Sequence, residues 1–478
     1  MKLLLIGHNN RYNIEQLCAA LLPGTKLELT DVPFPGDGIV SKLSVGEKWA
    51  TATASVTRSG LTFRGLARCP RDAGEREYRY IEGKSLYRAI LPLLDEAPSW
   101  GSLSGVRPSK PISRLLLAGK SRAEADRYLR DRYEVSDERR RLCLDAAEGT
   151  LRAFRQQESG DISLYVGIPF CPTRCIYCSF VSAAIEKSRK LLPAYLDALD
   201  REIDAAAAGL KKNPRRIRTV YIGGGTPTTL SARELGHLME HLRSSLGLSG
   251  CIEFTVEAGR PDTLDPEKLN IIRTFGASRI SINPQTMNDS VLSLLGRSHS
   301  SLDILRAWEE ARAAGHDNIN MDLIAGLPGD TEESFRATLD RVLTLGPENI
   351  TVHTLALKKA ATLYYQEKTF LPDGKAVANM LDYANSALRA GGYAPYYLYR
   401  QKYMTGSFEN VGWTRPGYDN LYNIYMMEEL HSILSLGSGG ITKIISGSKI
   451  SRLSNPKYPQ EYIRDIDKIC LSKEDICL

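Results

Sequence analysis

The sequence predicts an α/β protein: a partial (β/α)6 barrel of the TIM type over residues 161–368, an α+β domain over 1–160 before it, and a small C-terminal domain over 369–478 after it. Three observations lead there. In the middle of the chain, short apolar runs alternate with longer segments of helical period, the pattern of parallel strands joined by helical crossovers. Each of those runs is followed by polar or glycine-rich residues, as expected where a barrel gathers its reactive loops at the carboxyl ends of its strands. A length of 478 residues also exceeds what one hydrophobic core organises.

In chain order, the first domain has β-like runs at 2–6, 26–32, 49–56 and 61–67, and helical spacing at 76–95, 122–132 and 137–157. The Gly-, Ser- and Pro-rich stretch 98–111 reads as a loop. No catalytic motif occurs here, and Arg139, Arg140 and Arg141 read as a solvated helix face. The barrel strands are expected at 163–168, 218–222, 252–257, 278–283, 318–324 and 349–355, with helices at 191–208, 231–245, 265–274, 300–314 and 332–344. The third part begins after Pro372-Asp-Gly374. It has an amphipathic helix at 376–390, a tyrosine-rich stretch at 393–403, and Leu436-Gly-Ser-Gly-Gly440 before an alternating run that ends near Leu453. It is expected to cover the substrate.

Bulk properties narrow the function. The chain is 42% hydrophobic and 25% charged, with a net charge of +6, which permits an anionic partner without requiring nucleic acid. The start, Met1 to His8, is too short in apolar residues for a signal peptide, and no run reaches the roughly 18 apolar residues of a membrane span. Nine scattered cysteines, an odd number, read as reduced thiols in the cytoplasm.

The chemistry concentrates after the strands. Gly167-Ile-Pro-Phe-Cys171-Pro-Thr-Arg-Cys175-Ile-Tyr-Cys178-Ser-Phe180 follows the first and offers three thiolates on one loop. A four-iron cubane takes four ligands, so three thiolates leave one iron open; structural zinc would want four protein ligands. Gly223-Gly-Gly-Thr-Pro-Thr228 follows the second strand and permits close backbone approach to a ligand, but lacks the Gly-Lys-Ser/Thr of a phosphate loop. Glu257-Ala-Gly-Arg-Pro-Asp262, Asn283-Pro-Gln-Thr286, Asp322 with Gly326-Leu-Pro-Gly329, and 353–357 follow the others. An aspartate inside an apolar strand needs a partner.

The cysteine loop resembles the signature of the radical S-adenosylmethionine (SAM) enzymes. With Gly-Gly-Gly-Thr-Pro-Thr and Gly326-Leu-Pro-Gly329, the middle of the chain resembles the oxygen-independent coproporphyrinogen III oxidase group. The first part, Tyr399-Arg-Gln-Lys402 and Glu409-Asn-Val-Gly412 are similar to its HemZ-type branch. The resemblance implies a radical SAM barrel with a [4Fe-4S] cluster on Cys171, Cys175 and Cys178. SAM would bind at the open iron and be cleaved reductively to a radical that takes hydrogen from substrate. It assigns to the SAM site Tyr165, Tyr177, Gly223, Gly224, Gly225, Thr226, Glu257 and Gln285, with Arg297 on the carboxylate, Asp322 on the ribose hydroxyls, and Ile324 and Ala356 at adenine. The guanidinium and carboxylate chemistry suits these partners.

The resemblance also implies a substrate: coproporphyrinogen III, two of whose propionates would become vinyl groups, with a cytoplasmic electron donor such as flavodoxin or ferredoxin. Arg400, Lys402 and Arg415 are candidates for a cationic mouth facing its carboxylates. Two departures bear on this. The oxidases read Tyr-x-His-Ile-Pro-Phe-Cys where this chain has Gly167, and Gly-Cys where it has Ser179-Phe180. The alternative expectation is a haem carrier that retains cluster and SAM. His237 and His241 have a metal-compatible spacing, but no acidic third ligand is evident in sequence, and Cys470 and Cys477 read as free thiols.

Overall fold

The computed structural model describes every residue except 23, 181, 366–370, 402–407 and 448. The chain forms two compact units, Met1–Leu144 and Asp145–Leu478.

The first unit holds strands β1 (Lys2–Ile6), β2 (Glu28–Thr30), β3 (Gly38–Val45), β4 (Trp49–Arg58) and β5 (Leu61–Pro70) in the order β2-β1-β3-β4-β5. β1 runs parallel to β2 and β3, and β3, β4 and β5 form an antiparallel meander. Its helices are α1 (Arg11–Leu21), α2 (Glu75–Ile90), α3 (Lys110–Leu117) and α4 (Arg122–Arg127), and α5 (Asp137–Gln156) carries the chain across the unit boundary. Leu3, Ile14, Leu17, Ile39, Val56 and Leu86 belong to one buried cluster.

β3 was not expected from sequence. Polar residues at 41, 42 and 44 interrupt its apolar run, yet Ser41 is buried, with its hydroxyl 3.0 Å from His8 Nε2. α1 was not expected either, although Ile14, Leu17, Cys18 and Leu21 recur at helical spacing and are its buried face. α3 begins inside the expected loop, with Pro111 in its first turn, where a missing N–H costs nothing. Only Arg141 of the arginine run is solvated: Arg139 is 2% exposed, and Arg140 donates to Asp126 at 2.8 Å and to the Val135 carbonyl at 2.9 Å.

The second unit is built on β6 (Asp161–Ile168), the short pair β7 (Phe170–Cys171) and β8 (Ala183–Ala184), β9 (Arg216–Gly224), β10 (Glu253–Glu257), β11 (Arg279–Ser281), β12 (Ile319–Ala325) and β13 (Asn349–Thr354). The helices are α6 (Ile185–Ser188), α7 (Leu192–Lys212), α8 (Ala232–Leu246), α9 (Pro266–Thr274), α10 (Asp289–Leu294), α11 (Ser301–Ala313) and α12 (Glu332–Leu345). β6, β9, β10, β11, β12 and β13 pair in parallel in sequence order, the partial barrel the repeats predict.

Residues 369–478 do not stand apart as a third unit. They supply α13 (Gly374–Ala390), β14 (Ala394–Arg400), β15 (Glu409–Thr414), α14 (Leu421–Glu428), β16 (Ser432–Leu436), β17 (Ile441–Ser446), β18 (Lys449–Ser454), α15 (Pro459–Arg464) and α16 (Ile466–Glu474). β15 pairs antiparallel with β13, while β16 pairs in parallel with β6, so both edges of the barrel sheet are extended by this segment. The expected boundary at 368 lies outside the described residues.

Glu202 of α7 ties this segment down. Its buried carboxylate accepts from the Gly437 N–H (2.7 Å), Asn455 Nδ2 (2.8 Å) and Tyr462 Oη (2.6 Å), with Lys473 Nζ at 3.3 Å. Four donors from different parts of the C-terminal segment make a buried charge tolerable.

Candidate active site

The expected site residues converge at the carboxyl ends of the barrel strands, around a cavity of about 650 Å³. Its walls include Cys171, Cys175, Cys178, Tyr165, Tyr177, Gly224, Gly225, Thr226, Glu257, Gln285, Arg297, Asp322, Ile324 and Ala356. Gly223 sits just behind, beneath the Glu257 carboxyl.

The cysteine loop is fixed from several sides. β7 pairs with β8 to close its base, the Ile176 N–H donates to Leu295, and Arg174 donates to the Ala360 carbonyl. The glycine turn packs directly on it: the Gly225 N–H donates to Ile168 and the Thr226 N–H to Phe170. A Cβ on Gly225 would lie 2.5 Å from the Phe170 oxygen and 3.0 Å from Cys171 Sγ. Gly224 has φ +113, a backbone open to glycine, and a Cβ on Gly223 would press on Tyr221 and the Glu257 carboxyl. The three glycines are therefore more than a turn.

Burial pushes the Cys171 thiol up and Cys178 to about 11. A metal binding at this loop would displace those two protons, and thiolate sulfur is the donor an iron–sulfur cluster takes. Thr226 Oγ1 lies 3.5 Å from Cys171 Sγ, and Arg260 Nη1 lies 3.7 Å from Cys175 Sγ. These residues fit a cluster held by three cysteines.

Arg260 was quoted within the third-strand motif but given no role by sequence. It is 5% exposed, donates from Nε and Nη2 to Asp262 at 2.8 Å each, and also reaches Thr173 Oγ1. His299 Nδ1 lies 3.4 Å from the same carboxylate. Burial opposes the Asp262 charge, but the hydrogen bonds from His299 and Arg260 outweigh it and hold the group well below its usual range. Arg297 is buried as well: Nη2 donates to the carbonyls of Asn283 (2.7 Å) and Gly259 (3.2 Å), and Nη1 to Tyr177 Oη (3.1 Å). A guanidinium fixed by two carbonyls presents a planar, oriented cation to the cavity.

Asp322 finds its partners across strands. Asn320 Nδ2 donates to it at 2.7 Å, and His353 Nε2 lies 3.7 Å away. Burial works against its charge, yet the bonds from His353, Asn320 and Thr351 keep its pKa below the ordinary value. Gln285 has φ +67, rare for a residue with a side chain, and is locked there by Gln285 N–H to the Asp322 carbonyl and Ile324 N–H to the Gln285 carbonyl. Glu257 accepts from Tyr221 Oη at 2.6 Å, and burial lifts its carboxyl to about 7.

The cavity also carries stacked tyrosines, and sequence did not reveal that they pair. Tyr165, Tyr221 and Tyr422 form a stack, with Tyr221–Tyr422 centroids 4.6 Å apart at 26°. Tyr397 and Tyr399 stack beside them at 6.1 Å and 10°, and Tyr399 Oη lies 3.4 Å from His353 Nδ1. The expected cationic mouth is not where the sequence put it. Arg400 is buried and Arg415 packs over Tyr393 with Nε 3.2 Å from its hydroxyl; neither lines the cavity, and Lys402 lies outside the described residues. Among the described residues, the arginines and lysine that line the cavity are Arg174, Arg260, Arg279, Arg297 and Lys358. Arg279 is 2% exposed, and its Nε and Nη1 have no hydrogen-bond partner among the described residues.

The profile of the Radical SAM superfamily matches residues 165–342, the span that carries these loops. The oxygen-independent coproporphyrinogen-III oxidase-like protein HemZ of Bacillus subtilis is 36% identical over 440 residues, covering 90% of this chain and 88% of its own. The chain belongs to the HemZ-type branch of the radical SAM superfamily. Its cofactors are accordingly a [4Fe-4S] cluster and SAM. The heme chaperone HemW of Bacillus subtilis is 35% identical over 238 residues, 49% of this chain and 62% of that protein. The coproporphyrinogen III oxidase HemN of Escherichia coli, a radical SAM enzyme of known structure, superposes with a TM-score of 0.52 at 26% identity, over 66% of this chain and 72% of that one.

Gly167, where the oxidases carry histidine, has a structural basis. Its carbonyl accepts from Tyr195 Oη at 2.6 Å, and a Cβ there would lie 3.0 Å from the Ser438 oxygen. The C-terminal segment packs closely against this position, so a side chain there needs a shift of a few tenths of an ångström. Among the described residues no helix is long and apolar enough to cross a membrane.

Proposed function

We propose that this radical SAM protein is an enzyme of porphyrin metabolism, a coproporphyrinogen III dehydrogenase-like oxidoreductase. When bound, the cluster and SAM supply a 5′-deoxyadenosyl radical as hydrogen abstractor. The observation that carries the reading is the shared cavity, which the cysteine loop, the SAM-type residues and the tyrosine stacks line together. Flat aromatic faces suit a macrocycle, and Arg279, whose Nη2 is held by the Tyr418 and Asp419 carbonyls with Glu253 at 3.8 Å, keeps Nε and Nη1 without a hydrogen-bond partner among the described residues, donors that suit a substrate carboxylate.

The residues divide the work. Cys171, Cys175 and Cys178 hold the cluster, and Gly223 to Gly225 bring backbone against the ligand. That glycine run would receive the SAM amino group, Glu257 and Gln285 would make polar contacts with SAM, Arg297 would pair with its carboxylate and Asp322 would accept from its ribose hydroxyls, with Ile324 and Ala356 at adenine and Tyr165 and Tyr177 in the same site. Loss of hydrogen from a propionate β-carbon, then of CO₂ and one electron to an acceptor, leaves a vinyl group. A cytoplasmic flavodoxin or ferredoxin is the electron source we infer.

Gly167 favours a second reading, a haem carrier, since a catalytic proton donor is absent and HemW-named relatives are heme chaperones. An anaerobic assay with coproporphyrinogen III, SAM and reductant decides between them. The enzyme reading expects 5′-deoxyadenosine and a product lighter by one or two CO₂. Unchanged propionates with stoichiometric haem binding overturn it in favour of the carrier.

A further inference from the structure

His237 and His241 have a partner that their sequence spacing did not disclose. They lie four residues apart on α8, and facing them on α7 are Asp200 and Asp204, also four apart. Asp200 divides its carboxylate between the two rings, Oδ2 at 2.9 Å from His237 Nε2 and Oδ1 at 2.7 Å from His241 Nδ1. The other nitrogen of His241, Nε2, lies 2.8 Å from Asp204 Oδ1. One ligand atom each from Asp200, His237 and His241 falls within 4.8 Å of the others.

We propose that Asp200, His237 and His241 form a Zn²⁺ site that clamps α7 to α8. Two imidazoles and a carboxylate are a zinc donor set, and histidines four apart on one helix face are how zinc proteins present two ligands together. In a tetrahedron with metal–ligand bonds of about 2.0–2.1 Å, ligand atoms stand roughly 3.3 Å apart. The two His–Asp contacts use different oxygens of Asp200, so a small turn of the carboxylate and of the exposed ring brings one oxygen and the two nitrogens, already within 4.8 Å of one another, around a single ion. His237 can make the adjustment, because its side chain is 62% exposed, and solvent then supplies the fourth ligand.

Asp204 is the positioning residue. With His241 binding metal through Nδ1, the proton sits on Nε2 and is donated to Asp204, the carboxylate–histidine–metal arrangement that fixes tautomer and ring orientation. None of the four residues lines the cavity, so the site stands apart from the cluster chemistry. α7 and α8 follow β6 and β9, whose ends carry the cysteine loop and the glycine turn. The clamp would join the two repeats on which the cluster rests.

The test uses the full chain with its cluster reconstituted anaerobically, so that Cys171, Cys175 and Cys178 are occupied. Zn²⁺ is titrated by calorimetry, and bound zinc is counted after desalting. We expect one saturable zinc per chain at micromolar concentration, with binding abolished in His237→Ala and His241→Ala and weakened about 10- to 100-fold in Asp204→Asn. Iron content and SAM affinity stay unchanged in all three. His237 is largely exposed, so that variant folds even if the half-buried His241 does not tolerate change; circular dichroism verifies it. No uptake by the unsubstituted chain at 100 µM Zn²⁺, or undiminished binding in His237→Ala, overturns the site and leaves a plain His–Asp cluster.

Discussion

Glu257→Gln isolates the cost of a buried carboxylate in the cavity proposed to bind SAM. The carboxyl is raised from 4.5 to about 7, chiefly by burial, while Tyr221 holds it by a hydrogen bond. Between those values the folded chain keeps a proton that the unfolded chain has lost, so stability falls as pH rises from 4.5 to 7 and stays lower above. At 1.36 kcal/mol per unit, the full effect is at most about 3 kcal/mol. Glutamine keeps the shape and removes the charge. Urea unfolding under reducing anaerobic conditions should show the variant more stable at pH 8 by up to about 3 kcal/mol and level with the parent near pH 4.5. Binding should move the other way. If the ionised carboxylate receives the SAM ammonium, affinity in the parent rises about eightfold between pH 6 and 7.5, the upper limit chosen because an α-amino group begins to titrate near 7.7. Calorimetry on the cluster-loaded chain should show this slope in the parent and a flat, weaker profile in the variant. Parallel stability profiles, or a pH-independent SAM affinity in the parent, would refute the assignment.

Other substitutions probe the rest of the site. Asp322→Ala should weaken SAM roughly ten- to a hundredfold by calorimetry while iron content holds, since a charge-assisted hydrogen bond is worth about 1.5–3 kcal/mol; unchanged affinity would make Asp322 structural. Cys175→Ala should fail to retain a four-iron cluster by iron and sulfide analysis. Arg260→Met removes the donor 3.7 Å from Cys175 Sγ and should lower the cluster's reduction potential in a redox titration followed by electron paramagnetic resonance, with the cluster still assembled. Glu202→Ala should cost about 3–5 kcal/mol in chemical denaturation, because Lys473 would be left buried at 2% exposure without its carboxylate.

The sequence by itself determined the barrel and its chemistry, because both are written in short-range order. The alternation of apolar runs and helical periods located β6 and β9 through β13, and the three cysteines and three glycines each sit within one loop, where a short motif can show three thiolates together and resemble a known signature. Asp322 was legible too, as a charge out of place in an apolar strand. Only the tertiary structure decided what depends on contacts between distant residues. Arg260 reaches Cys175 across 85 positions, Tyr422 stacks on Tyr221, and Asp200 meets His237 and His241 from another helix. No spacing in a linear chain encodes such pairs. The same holds for β16, a strand that follows a glutamate–leucine–histidine turn yet pairs beside β6 some 270 residues earlier, with register Ser432 to Ile162. Its Gly-rich exit packs on Gly167, so the missing histidine, read from sequence as a chemical departure, also has a steric side: a Cβ there would lie a tight 3.0 Å from the Ser438 carbonyl oxygen. Parallel pairing between remote segments is settled by which hydrophobic faces and backbone donors remain unsatisfied once the nearer elements have packed, and that is a property of the folded chain.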